Sequence, residues 1–333
     1  MMTPTRKNPR RAEQAVLAVL PRNATVSNRD KTADLIVSGH DLEIKWIGEG
    51  NLHDARTLLD GRGRPDVVVA RRMSPGARAA LADAGIGWVD ESGAAEIAVG
   101  SIVVSRSGRA VVHAEKPTRW TPAVLATSEA LLCGIRPTVA ATQEATGLST
   151  GSCTNALRIL TDLGLLVADA ERGRGSARRI ADHDVLLNAY ASAAEAQPQA
   201  AELRVGVSWR DPLEGLAELG GKWTRAKIDW MVTGAAAASL IAPYLTAVTS
   251  ADVYVGADTI AALAAVARES GLRALEGGRL TLRALPTVTT ARLATNIEGI
   301  RVAPWPRVFV DLRSSGVRGE EAAEHLREVV RAR

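Results

Sequence analysis

The sequence predicts a multidomain α/β protein. Three observations carry that reading. The chain is 333 residues long, more than one hydrophobic core usually serves. Strand-like alternation and helical spacing interleave in its first and last thirds. Between about residues 119 and 196 the pattern turns helical, broken by one small hairpin. The expected segments are therefore 1–118, 119–196 and 197–333.

Composition narrows the class. Hydrophobic residues make up 46% and charged residues 23%, the balance of a folded, soluble chain. No apolar run is long enough for a transmembrane helix. Charges interrupt the start of the chain where a signal peptide would be apolar. The expected location is the cytoplasm. Cys133 and Cys153 are the two cysteines, too few for a thiolate zinc cluster or a disulfide scaffold. His40, His53, His113, His183 and His325 show no metal-binding spacing. The net charge of +4 weakly favours an anionic partner. Its distribution says more: Arg6, Lys7, Arg10 and Arg11 make a basic start, and Arg172, Arg174, Arg178 and Arg179 crowd the middle.

Along the first segment, a helix is expected from Pro9 to Val19, stopped by Pro21. Residues 34–46 read as a β-hairpin turning at 38–41. A short helix follows from His53 to Leu59, then a buried strand at Asp66–Ala70. Ser74 caps a helix with Pro75 at its first position, running to Ala84. Strands near 86–89 and 101–105 complete this α/β unit. In the last segment, strands are expected at 203–209, 251–255, 279–284 and 307–312. Helices are expected at 212–219, 224–242, 257–270 and 319–331. Trp223 and Trp230 read as core anchors, and Trp305 sits between prolines in a stiff loop.

The middle segment carries the strongest functional pattern. Helices are expected at 122–134, 138–147 and 150–163, with Ser149 as N-cap of the third. On that helix Cys153, Ala156, Leu157 and Leu160 share the core face. Thr150, Ser152, Asn155 and Arg158 face outward, where the first turns of a recognition helix meet base edges. A hairpin follows, with Glu171-Arg172-Gly173-Arg174-Gly175-Ser176 at its tip. Arg172, Arg174, Arg178 and Arg179 are placed to neutralise phosphates or enter a narrow minor groove. The segment resembles the winged helix-turn-helix domains of bacterial regulators, which implies double-stranded DNA as partner and no cofactor for binding.

The first segment offers a second constellation. With the hairpin turning at 38–41, Asp34 is expected across from Lys45, and Glu43 shares a strand face with Lys45. Two carboxylates and an ammonium suit phosphodiester hydrolysis: Asp34 and Glu43 would hold Mg²⁺ or Mn²⁺, with Glu13 a weaker candidate ligand, and Lys45 would orient water or stabilise charge. Residues 10–105 here resemble the PD-(D/E)xK, or restriction-endonuclease-like, superfamily. Ala33 replaces the usual proline. Pro65-Asp66 is a decoy, since Arg71-Arg72 follow where a Glu-x-Lys strand is needed.

The last segment resembles the carboxy-terminal part of the AbiEi-type antitoxin and transcriptional-regulator family, through residues 232–238, Asp252-Val253-Tyr254-Val255 and Arg307–Leu312 leading to 316–326. That resemblance implies a nucleotidyltransferase-like fold. Alanine follows Gly234, and tyrosine stands two after Asp252, so transferase chemistry is not expected. Asp252 and Asp311 read as structural or surface acids. The combined expectation is a sequence-specific DNA-binding transcriptional regulator. The alternatives are a metal-dependent deoxyribonuclease guided by the winged helix, and an antitoxin-like protein that binds a toxin-like partner. A homodimer would suit a palindromic site.

Overall fold

The computed structural model describes residues 9–21, 24–27, 34–61, 63–100, 102–108, 120–168, 178–198, 200–244, 248–287 and 289–333. The chain is a mixed α/β protein that divides into two units, 1–114 with 316–321 and 115–315 with 322–333. Among the described residues no helix is long and apolar enough to cross a membrane.

In the first unit α1 (Pro9–Val19) precedes β1 (Val26–Ser27), β2 (Leu35–Val37), β3 (His40–Leu42) and β4 (Ile44–Trp46). Then come α2 (Leu52–Leu59), β5 (Val67–Ala70), α3 (Pro75–Asp83), β6 (Gly87–Asp90), β7 (Ala95–Val99) and β8 (Ile102–Arg106). Strands β1 to β3 form a small antiparallel sheet, while β4-β5-β6-β7-β8 form a second sheet. In that sheet β4, β5 and β6 are parallel and the rest antiparallel. Strand β5 explains the layering. Val67 and Val69 pack with Ala12 and Val16 of α1 on one face, whereas Val68 and Ala70 pack with Ala55 of α2 and Leu81 of α3 on the other. A parallel strand buried on both faces needs apolar residues at every position, and this one has them. The helix starts are equally local: Asn51 and Asp54 form a capping box on α2, and the Ser74 hydroxyl accepts from the Ala77 amide with Pro75 behind it.

The hairpin at 34–46 forms, but its register differs from the expected one. Its turn is only Ser38-Gly39, both at positive φ, so Leu35 pairs with Leu42 and Val37 with His40. Asp34 therefore lies across from Glu43 rather than Lys45, and its amide donates to the Leu42 carbonyl. The chain then changes sheets: Lys45 lies in β4, paired with Val68 of β5.

The second unit begins with α4 (Pro122–Leu132), α5 (Val139–Thr146), α6 (Thr150–Asp162), the hairpin of β9 (Leu166–Ala168) and β10 (Arg178–Ile180), and α7 (His183–Glu195). It continues through β11 (Glu202–Gly206), α8 (Pro212–Arg225), β12 (Trp230–Thr233), α9 (Gly234–Ile241), β13 (Ala251–Val255) and α10 (Ile260–Glu269). The last elements are β14 (Arg273–Ala274), β15 (Leu280–Ala284), a 3₁₀ turn (Thr290–Leu293), β16 (Thr295–Ile297), β17 (Ile300–Val302) and α11 (Trp305–Arg313); α12 (Val317–Arg331) belongs to the first unit up to Glu321 and to the second from Ala322. A seven-stranded mixed sheet runs β14-β11-β15-β13-β12-β17-β16. One apolar cluster joins the helices to it: Leu131, Leu160 and Leu187 belong with Met231, Val253 and Phe309. Segments 119–196 and 197–333 thus share a core.

Three expectations in this unit are corrected. The helix expected over 224–242 is interrupted by β12, a fully buried central strand, whose apolar run mimics a helix core. The strand expected at 307–312 is α11, because Pro306 sits in its first turn, where proline favours a helix. Trp305 opens that helix, and its indole N–H donates to the Leu132 carbonyl at 3.1 Å, so it is no loop anchor. Trp223 and Trp230 are buried as expected, with ring centroids 6.0 Å apart.

Gly50 gives a sharp packing test in the first unit. It has φ +84°, and a Cβ there would lie 2.5 Å from the Ala70 Cβ and 2.6 Å from the Arg72 carbonyl oxygen. Gly50→Ala is expected to lower unfolding free energy on the order of 3 kcal/mol. Urea denaturation of the two proteins checks this, and an unchanged midpoint would refute it.

Candidate functional site

Helices α5 and α6 meet at a tight turn. Gly147 ends α5 at φ 72°, the left-handed conformation that glycine adopts without strain. The Ser149 hydroxyl then caps α6 by accepting from the Ser152 amide at 3.2 Å. Along α6 Cys153, Ala156, Leu157 and Leu160 are buried, as the spacing predicts. Thr150, Asn155 and Arg158 are exposed and Ser152 is partly so. These side chains are already ordered by one another. The Arg158 guanidinium donates to Asn155 Oδ1 at 2.8 Å and to Asp162 Oδ2 at 2.9 Å. The Thr150 hydroxyl donates to Gln143 Oε1 at 3.0 Å, and Ser149 donates to Ser152. Arg178 and Arg179 lie on β10, opposite Ala168 and Val167 of β9, and successive strand positions face opposite ways. Arg172 and Arg174 lie outside the described residues.

At the hairpin, Asp34 Oδ2 accepts from the Ile44 amide and Asp66 Oδ2 from the Glu43 amide, both at 2.7 Å. The Glu43 carbonyl in turn accepts from the Asp66 and Val67 amides. Both aspartates therefore satisfy backbone donors where the strand leaves one sheet for the other. Glu43 and Lys45 are exposed. Among the described residues no three His, Cys, Asp or Glu side chains converge as a metal shell, so Glu13 does not join Asp34 and Glu43.

A third cluster escaped the sequence reading. Glu129 lies in the middle of α4 and is 3% exposed. Its Oε2 accepts from the Tyr190 hydroxyl at 2.6 Å and from Thr290 at 3.5 Å. Beside it Asp311 of α11 accepts from Thr233 at 2.5 Å, Tyr254 at 2.8 Å and the Arg307 guanidinium at 2.5 Å. Arg283 reaches Asp252 at 3.3 Å and Glu202 at 3.7 Å. Asp311 is thus a buried acid and Asp252 a half-buried one, each held by an arginine. Glu129, Tyr190, Tyr254, Arg283, Arg307 and Asp311 border a cavity of about 550 Å³. The available signal was the lone charge within the otherwise uncharged run Pro122–Leu132. A buried helix tolerates such a charge only when something inside satisfies it.

No family model, curated protein or solved structure matches the chain.

Burial pushes the Glu129 carboxyl up to about 7, against smaller downward pulls from the Tyr190 hydrogen bond and the Arg307 charge. Burial raises Asp252 as well, with Arg283 opposing it. For Glu129 the folded state keeps its proton at pH values where the unfolded chain, near 4.5, has lost it. Its contribution to stability is therefore largest below about pH 4.5 and is lost as pH rises through about 7. We expect that loss to be on the order of 3 kcal/mol and to be absent in Glu129→Gln. Denaturation curves of both proteins between those two pH values measure it. Parallel pH profiles would refute the assignment.

Proposed function

We propose that the chain is a sequence-specific double-stranded-DNA-binding regulator, with α6 as the recognition helix. The observation that carries this reading is the division of α6. Its buried side is apolar and complete, while Thr150, Asn155 and Arg158 project from the other side within the first turns. A helix that enters the major groove by its amino-terminal end needs this arrangement. The short α5–α6 turn and the β9–β10 hairpin support a winged helix-turn-helix, and the AbiEi-like order of pieces agrees with it. In this reading Asn155 and Arg158 read base edges, since amide and guanidinium groups offer paired contacts to adenine and guanine. Arg172, Arg174, Arg178 and Arg179 supply phosphate contacts from the wing. Restriction-endonuclease-like and nucleotidyltransferase-like identities for the two sheets belong to the same proposal.

Cleavage by the hairpin is a second reading, favoured by the Asp34 carboxylate lying against the Ile44 amide, between Glu43 and Lys45. Among the described residues no three potential ligands converge there as a metal shell. We derive no metal-dependent step from them.

Binding is tested by titrating the protein onto its own upstream DNA and onto a scrambled duplex of equal length, with Mg²⁺ present and products resolved under denaturing conditions. Preferential binding with intact strands is the expected outcome, and equal affinity for both duplexes would overturn specific recognition. Arg174→Ala is expected to weaken binding to both duplexes and to reduce the slope of log K against log salt by about 1. Asn155→Ala is expected to narrow discrimination by roughly tenfold, leaving the slope in place. If the two variants exchange these signatures, the assignment of α6 and wing is wrong.

A further inference from the structure

Acids outnumber their ion-pair partners around the cavity behind α4. Asp311 is matched by Arg307 and Glu195 by Arg313, while Arg283 is shared between Asp252 and Glu202. Glu129 has no cationic partner within ion-pair distance among the described residues, although it is buried and lines the same space. Its Oε2 is used by Tyr190 and Thr290, while Oε1 has no hydrogen-bond donor among the described residues. A buried acceptor without a donor is costly, and a buried anion without a counter-charge more so. Leu125, Leu285 and Val310 give part of the wall an apolar surface, and the rest is polar, Arg283 and Arg307 included. At about 550 Å³ the space falls within the range of small-molecule sites.

We propose that this cavity binds a small organic cation, an amine or amidinium on an apolar body, with its charged group against the Glu129 carboxylate. The ligand supplies the missing donor and counter-charge together, and its body covers the apolar part of the wall. Its regulatory consequence rests on the DNA-binding reading. Thr290, which touches Glu129, opens the 3₁₀ turn that carries Arg292. The Arg292 guanidinium donates to the Glu144 and Ala145 carbonyls at the end of α5, at 3.3 and 3.4 Å. Occupancy at Glu129 is thereby linked to the helix that leads into α6.

Isothermal titration of the full chain with benzamidine, phenethylamine and agmatine tests the site without DNA, and benzoate serves as the anionic isostere of benzamidine. We expect saturable binding of at least one cation at millimolar or lower concentration, no binding of benzoate, and a loss of about tenfold or more in Glu129→Gln. Leu285→Trp, which fills the cavity and leaves Glu129 in place, is expected to block binding even if Glu129→Gln does not fold. Absence of binding by all three cations overturns the proposal. So does benzoate binding as tightly as benzamidine, or cation affinity unchanged in the variants. The regulatory link is read separately, as a change of at least about threefold in DNA affinity at saturating cation. Unchanged DNA affinity with intact cation binding would remove the link and keep the site.

Discussion

The buried carboxylate of Asp311 organises the second unit. It sits on α11 and takes donors from three elements: Thr233 at the end of β12, Tyr254 in β13, and Arg307 one turn earlier on its own helix. Its backbone carbonyl also accepts from the Ser314 and Ser315 hydroxyls where α11 ends. A buried ion pair of this kind adds little net stability by itself, because both charges were well solvated before folding. Its effect is geometric. With either partner removed, the other is an uncompensated charge in the core, so α11 has one tolerated seat on the sheet. That seat places Arg307 beside the cavity, where Glu129 has no ion-pair partner among the described residues.

The helical bundle is held to the same seat. Tyr190 of α7 donates to Glu129 of α4, and Trp305 at the start of α11 donates to the Leu132 carbonyl at the end of α4. Arg292 closes on the end of α5. These contacts, with the common apolar cluster, make the helices and the mixed sheet one body rather than neighbouring modules. If the α5–α6 pair reads DNA as proposed, its link through Arg292 to the 3₁₀ turn beside the cavity would give effector control what it requires: two sites with shared structural parts.

What the sequence disclosed follows the range of the interactions involved. Caps and turns act over a few residues, so Ser74 with Pro75, Ser149, and the alternation of buried and exposed positions along α6 were legible. Strand β5 was legible because its four apolar residues are too few for a helix. The run from Thr224 to Ala242 was not, since Trp230–Val232 is apolar and only its place within a sheet makes it a strand. Arg307–Leu312 alternates like a strand, yet Arg307 and Asp311 are spaced to meet on a helix, and Pro306 begins one. The cavity was hidden for another reason. Its residues come from α4, α7, α11, the sheet and the 3₁₀ turn, and no local spacing joins Glu129 to Tyr190 or Tyr254.

The hairpin in the first unit shows how one turn residue decides which groups meet. A two-residue turn at Ser38-Gly39 is favoured because both positions take positive φ, which matches the twist of the flanking strands. A longer turn at 38–41 would have set Asp34 opposite Lys45. The tighter one sets it opposite Glu43, at the point where the chain leaves the small sheet. There the strand pairing lapses, and the amides of Glu43 and Ile44 need acceptors. Asp66 and Asp34 supply them, including the aspartate set aside as a decoy. The two acids are thus required by the backbone whatever chemistry Glu43 and Lys45 perform. For that reason loss of cleavage in an Asp34 variant would not separate catalysis from folding. The exposed Lys45 side chain, outside those two backbone caps, separates them: a Lys45→Ala protein that keeps its unfolding midpoint and loses cutting would locate the chemistry in the hairpin, and one that loses nothing would leave the hairpin as architecture.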